Sequence, residues 1–314
     1  MIVRALARSA LLAAALICSA VAQDDLAGGA ERHLGGHGFL PSAYITGPWV
    51  GSEFRSATGG GVAIGMETPF YNLEGEELFI LEGDLFYAAL GIGYQQKLGR
   101  TWAVGGSYSA NARSGTNTYS VVVEGANVDR SVHLWAKKRL MRSDTSQLTV
   151  GVDWDYDKIF LIDPLGFARD IADGADVDSA DLLNSVKGWT ARLTVEYARA
   201  FSPTYGLRAH GAIGLYEEPL TAGVSKATHR LGVMGEMDLK HRWSAPVGLT
   251  LGYTMGFPTD DPKAGLSGLL MGVWYTGREA FVLGVETGYM DLPGGYGGED
   301  INAMFGLLTL RYYF

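Results

Sequence analysis

The chain closes with Leu308-Thr309-Leu310-Arg311-Tyr312-Tyr313-Phe314. Side chains of an extended backbone point to alternate faces, so Leu308, Leu310, Tyr312 and Phe314 make one apolar face opposite Thr309, Arg311 and Tyr313. In a soluble sheet that face would pack on a core while the other carried Lys, Glu and Thr at solvent density. The same alternation recurs upstream, but the opposite face is rich in Gly and poor in Lys. Gly91 and Gly93 interleave with Leu90, Ile92 and Tyr94, and Gly248, Gly252 and Gly256 with Leu249, Leu251, Tyr253 and Phe257. Such a face suits a confined interior.

Twelve stretches carry this period. They include Val62 to Met66, Phe86 to Tyr94, Val128 to Ala136, Leu148 to Tyr156, Trp189 to Tyr197, Tyr205 to Leu215 and Leu231 to Trp243, the last with Leu239 on the apolar side. Short turns, such as Leu98-Gly99-Arg100 and Ser202-Pro203-Thr204, strictly alternate with long connections at 69–83, 112–126, 159–185, 218–226, 258–265 and 291–300. Aromatic residues on the apolar faces gather at both ends: Tyr94, Trp102, Tyr205 and Tyr312 at the short-turn end, Phe86, Tyr108, Trp154 and Trp189 at the other. Phe86 and Tyr94 are about 26 Å of strand apart, enough after tilting to cover most of an apolar band about 25 Å tall. The expected fold is all-β, a transmembrane antiparallel up-and-down β-barrel of about 12 strands.

Composition agrees. Gly is 44 of 314 residues, and outside the first residues no apolar run approaches the roughly 20 a spanning helix needs, which excludes a helical membrane protein. Arg4 and Arg8, the apolar stretch Leu11 to Ile17 and the small residues Ala20-Val21-Ala22 read as a signal peptide over 1–22. The single cysteine, Cys18, lies inside it, so disulfides and thiol chemistry are not expected beyond it. The net charge of -9, about -11 without Arg4 and Arg8, argues against nucleic acid as a partner.

With the leader, girdles, alternating loops and terminal Phe314, the chain resembles bacterial outer-membrane β-barrels as a superfamily. That resemblance implies residence in the outer membrane of a Gram-negative cell, contact with outer-membrane lipid and lipopolysaccharide, and use of Phe314 as a signal to the barrel assembly machinery. Residues 57–314 are then the barrel. Residues 23–56, with Gly35-Gly36-His37-Gly38, Pro41 and Pro48-Trp49, form a periplasmic extension or a plug.

Inverting the apolar register gives an inward belt. It holds His133, Asp153, Asp155, Arg192, Glu196, Arg208, His210, Glu236, Asp238 and Glu286, and also Lys240, Arg242 and Arg311. Ionised groups inside a membrane barrel must pair or meet water, so the belt reads as the lining of a passive pore for a small solute. Folding about the short turns sets Glu196 opposite His210 and His133 opposite Asp153 or Asp155.

Ser131, His133 and Asp155 supply a hydroxyl, an imidazole and a carboxylate, the parts of a hydrolytic triad. They are similar to the catalytic set of outer-membrane phospholipase A, another twelve-stranded barrel, though with Ser before His, Asp for Asn, and the lumen in place of lipid. An outer-membrane hydrolase, lipase- or protease-like, is thus the alternative function, beside a structural or adhesive barrel. The acidic row Asp153, Asp155, Asp157 continues into a loop with Asp163, Asp170, Asp173, Asp176, Asp178 and Asp181, without EF-hand spacing. His33, His37, His229 and His241 share no ligand spacing, so neither a metal nor a cofactor is expected.

Overall fold

The computed structural model describes residues 28–71, 77–115, 126–162, 183–217, 225–259, 265–292 and 301–314. The leader 1–22 and the acidic loop residues from Asp163 to Asp181 lie outside the described residues. We number the barrel strands β1 (Glu53–Tyr71), β2 (Glu77–Leu98), β3 (Trp102–Gly115), β4 (Ala126–Arg142), β5 (Ser146–Ile162) and β6 (Leu183–Ala200). The second half comprises β7 (Tyr205–Glu217), β8 (Ser225–Asp238), β9 (Val247–Pro258), β10 (Leu266–Tyr275), β11 (Phe281–Leu292) and β12 (Ile301–Tyr313). Each strand pairs antiparallel with its neighbours in sequence, and β12 pairs with β1, Leu310 opposite Ser56, to close a barrel of twelve strands. Closure leaves no edge, so the ladders supply partners for the strand backbone without water, the condition for crossing a bilayer with strands. No helix among the described residues is long and apolar enough to cross a membrane.

The outward face is the one read from the sequence. Leu90, Ile92, Leu134, Val152, Leu193, Ile213, Leu231, Leu251, Val273 and Val285 are all exposed, and Trp102, Tyr205, Tyr275 and Tyr312 ring one end while Phe86, Tyr108, Trp154 and Tyr289 ring the other. β12 keeps its register: Leu308 and Tyr312 face out, and the apolar inner pair Phe305 and Leu307 is buried.

Three local expectations fail. β1 starts at Glu53, four residues before the expected boundary, because Glu53 to Ser56 pair with both Gln95 to Ile92 and Tyr313 to Leu310. β1 and β2 run on to Tyr71 and from Glu77, so most of the stretch 69–83 is paired strand; likewise the loops 112–126 and 159–185 shrink to 116–125 and 163–182. Beyond the lipid there is no one-sided apolar pattern to mark a strand. Finally, β8 stops at Asp238, and Lys240–Trp243 form one helical turn. Leu239 is therefore buried and not lipid-facing, and Lys240 and Arg242 are exposed at the barrel end and not in the lumen.

The apolar core lies inside the barrel. It has three clusters: Leu34, Phe39 and Trp49 with Ala198 and Ala200; Ile45 with Met234, Leu270, Phe305 and Leu307; Leu40 with Trp274, Val282 and Tyr313. Each includes residues from the segment before β1, so the inner wall and that segment bury one another's apolar surface.

Candidate functional site

The segment begins with a 3-10 turn, Gly28–Arg32, followed by a hairpin pairing His33–Leu34 with His37–Gly38 across Gly35 and Gly36. Both glycines have positive φ, 54° and 83°, a conformation that costs an L side chain its Cβ clearance. The hairpin sits under the short turns: the Gly35 amide donates to the Asp144 carbonyl at 2.5 Å and His37 Nδ1 lies 3.1 Å from the Pro203 carbonyl. Glu31 anchors it electrostatically. Its carboxylate meets Lys97 at 2.8 Å, Arg139 at 2.7 Å and Arg142 at 3.0 Å. Burial alone would raise the Glu31 carboxyl, but the Lys97 hydrogen bond and the charges of Arg139, Lys97 and Arg142 outweigh it and hold the group below the usual range. Burial, reinforced by Arg32, pushes the His33 imidazole down to about 4, so His33 is neutral at pH 7.

From there the chain climbs into the lumen. The Leu40 amide donates to Glu236 at 2.5 Å; the Ser42 hydroxyl and the Ala43 amide donate to Glu286 at 2.5 and 2.7 Å. Arg208 pairs with Glu236 and also donates to the Ile45 carbonyl at 3.3 Å. On the return, Thr46 Oγ1 lies 3.1 Å from His210 Nδ1, and Lys137 donates to the Gly47 carbonyl at 3.1 Å. Gln147 and Thr149 donate to the Pro48 carbonyl, and Gln95 donates to the carbonyls of Trp49 and Gly51 at 3.0 and 2.8 Å. A backbone threaded through a barrel needs partners for its own polar groups, and the inward side chains supply them.

The belt thus divides in two. Arg208, Glu236 and Glu286 hold the segment, and Asp238, also buried, accepts from Thr276 Oγ1 at 3.2 Å and from the Lys240 amide at 3.0 Å. His133, Asp153, Asp155, Arg192, Glu196 and His210 line a cavity of about 780 Å³ above it, floored by residues 43–49. In the cavity wall Lys137 pairs with Glu196 at 2.8 Å, Arg311 with Glu53 at 3.1 Å, and Arg192 with both Asp153, at 3.3 Å, and Asp155. Glu196 stands across the ladder from His210, and His133 from Asp155, as folding about the turns requires.

Two cavity cations have no carboxylate partner among the described residues. Arg55 lies over the Trp135 ring at 4.3 Å and donates to Ser107 at 3.1 Å, while Arg230 projects from β8. The inward register read from the sequence includes Arg230 but not Arg55, which precedes the first expected strand. A surplus cation becomes visible only when the partners of the others are known.

The hydrolytic parts do not assemble as a triad. His133 turns Nε2 toward Asp153, 3.4 Å away, and Ser131 faces Asp157 across the ladder. His133, Asp153 and Asp155 bring ligand atoms within 4.8 Å of one another, yet the Arg192 guanidinium already bonds both carboxylates, so a metal ion would have to displace it. The terminal Phe314 ring packs between Tyr94, at 5.8 Å, and Tyr312, at 6.0 Å.

Comparison with known proteins gives the setting. No family model and no curated protein matches the sequence. Among solved structures, an outer membrane channel from Pseudomonas putida F1 superposes with a TM-score of 0.54 at 13% identity, over 88% of this chain and 100% of that one. The translocator domain of the autotransporter NalP from Neisseria meningitidis gives 0.50 at 13% identity, over 85% and 90%. A Pseudomonas aeruginosa FadL homologue gives 0.50 at 10% identity, over 91% and 96%. Fold and girdles agree with these neighbours: the chain has the fold of outer-membrane β-barrels, with twelve strands closed around residues 28–52.

Proposed function

We propose that the protein is a passive outer-membrane channel for small solutes, and that the segment 29–52 is the gate of its periplasmic half. The observation that carries this reading is the cavity of about 780 Å³, whose walls are inward charged and hydroxyl side chains and whose floor is the segment itself. A purely structural barrel would close its lumen with side chains, as eight-stranded barrels do, and leave no such cavity. One of the proteins that share its fold, that from Pseudomonas putida F1, is an outer membrane channel, which supports this reading.

The cavity wall favours anions. Lys137, Arg192 and Arg311 between them pair the lining carboxylates, Arg192 serving both Asp153 and Asp155, whereas the Arg55 and Arg230 guanidinia have no carboxylate partner among the described residues; the lining keeps one cation in excess, and the field inside attracts negative solutes such as small carboxylates. His133 and His210 add imidazole contacts beside them, each with a buried Nε2 lacking a hydrogen-bond partner. In planar bilayers the purified protein should pass intermittent current with a reversal potential on the anion side, and a variant lacking residues 29–50 should stay open. Silence from both, with the barrel folded, removes the channel reading.

A further inference from the structure

The outward faces of β4, β5 and β6 break the apolar belt with a row of cations. Arg130 stands opposite Lys158, and Lys158 opposite Lys187, across successive ladders. By the two-residue period Arg130 shares the face of the exposed Val132 and Leu134, Lys158 that of Val152 and Trp154, and Lys187 that of Leu193 and Val195. Strands about 4.8 Å apart put the three charges within a span of roughly 10 Å. Arg130 and Lys158 lie against the same Phe160 ring, at 5.2 and 4.4 Å. None of the three has a carboxylate partner among the described residues.

Their height in the membrane is fixed by the same registers. The next row toward the short turns is Val132, Tyr156 and Trp189, an aromatic girdle. Eight residues from Arg130 along β4, Lys138 stands over Trp102 at the opposite girdle, 5.4 Å from the ring. That is about 26 Å of strand, or about 20 Å of height after tilt, close to the thickness of the apolar band. The row therefore marks the boundary between hydrocarbon and headgroups on the long-loop side, which faces outward from the cell.

Three like charges side by side at a lipid boundary repel one another and lose water, so a multivalent anion over the row relieves both costs. We propose that Arg130, Lys158 and Lys187 bind the phosphorylated headgroup of an outer-leaflet glycolipid. A phosphate monoester carries the charge and the acceptor oxygens to bridge neighbouring cations, which a single carboxylate lacks. The apolar wall below the row, Leu134, Trp154 and Leu193, accepts acyl chains, which selects a lipid over a free ion.

The test uses the intact protein refolded in lipid-free detergent and titrated with bisphosphorylated lipid A, the dephosphorylated glycolipid, and inorganic phosphate alone, read by native mass spectrometry. The unsubstituted protein should retain the phosphorylated lipid selectively. With each basic side chain at a membrane surface contributing its ordinary share, the triple variant Arg130→Gln, Lys158→Gln, Lys187→Gln should bind it on the order of a hundredfold more weakly. Lys138→Gln at the other girdle should change nothing, and heat-modifiable migration confirms that each barrel is folded. Equal retention of both glycolipids, or an unaltered affinity in the folded triple variant, overturns the proposal. Displacement of the lipid by inorganic phosphate at matched concentration assigns the row to bare anions and overturns the lipid as its ligand.

Discussion

If the segment 29–52 is a gate, its seating must be an equilibrium that a single side chain can tip, and Phe39 is the place to tip it. Phe39 is 1% exposed, with its ring 4.6 Å from His37 and 5.0 Å from Trp49 and its neighbours Leu34, Ala198 and Ala200 around it. Phe39→Ala in such a site costs about 3 to 5 kcal/mol. Because the barrel is closed by its own ladders, that cost falls on docking and not on the strands. At about 1.4 kcal/mol per factor of ten, the undocked population should rise by roughly two to three and a half orders of magnitude. The wall offers an independent perturbation: a Cβ at Gly206 would lie 2.5 Å from the His37 ring and 2.8 Å from that of Phe39, so Gly206→Ala should loosen the segment by about 1 to 3 kcal/mol without altering it. The assay is trypsin cleavage after Arg32, which is 3% exposed and donates to the carbonyls of Phe39 and Glu279 while docked. Cleavage and open-channel current should climb together, while Leu251→Ala on the lipid face should leave both alone. Cleavage in Phe39→Ala within a few-fold of the unsubstituted rate would refute the idea that this packing holds the gate.

Acid should loosen the same segment in two stages. The His33 imidazole, held by burial near 4, contributes docking stability that is complete above its free value of 6.5 and is lost as pH falls from there toward 4, whereas the Glu31 contribution, held low by Lys97, Arg139 and Arg142, persists until pH drops below the ordinary carboxylate value. Hydrogen exchange at the Gly35 and Phe39 amides, corrected for intrinsic rate, should therefore accelerate between pH 6.5 and 4, and His33→Gln should reduce that first stage. Arg230→Gln and Arg192→Gln should both move the reversal potential toward cations, the second more strongly because it bares Asp153 and Asp155 together; unchanged selectivity in both would remove the cavity as the filter. Gly105→Val would drive a methyl into the Trp135 ring, whose Nε1 donates to Gln95 at 2.8 Å, and should lower barrel stability by about 1 to 3 kcal/mol in urea unfolding; an unshifted midpoint would mean that Trp135 is free to move.

The barrel was legible because lipid imposes a rule on each residue along a strand: every second side chain must be apolar for as long as the strand is in the bilayer. Where that rule lapses, so does the reading. Leu239 has the right spacing but follows the end of β8, and the outer reaches of β1 and β2 stand clear of the belt with nothing to mark them as paired. The candidate site shows the same division. Glu196 faces His210 across a connection of four residues, 201–204, that fixes register, so the pair could be read from the sequence. Arg208 and Glu236 sit on strands joined through the long connection after Glu217, where no tight turn sets the offset, and their ion pair could not.

The seated segment left a trace in the sequence all the same, and it lies in the wall. Inner-face glycines follow its path: a Cβ at Gly206 would meet His37, at Gly248 Leu40 at 2.6 Å, at Gly252 Ile45 at 3.0 Å and at Gly232 Ile45 at 3.1 Å. Those four lie on three consecutive strands, β7, β8 and β9, and all four are inward while Leu207, Val233, Leu249 and Leu251 point out. Strands lose stability with each interior glycine, so glycines at these positions answer a close approach of the segment. By contrast, the inner faces of β5 and β6 near the cavity carry Asp153, Asp155, Arg192 and Glu196, side chains that reach toward water. Small residues where chain must pass and charged ones where solute must pass are two different solutions to one lumen. The boundary between them, at Ile45 to Gly47, is where gate and filter meet.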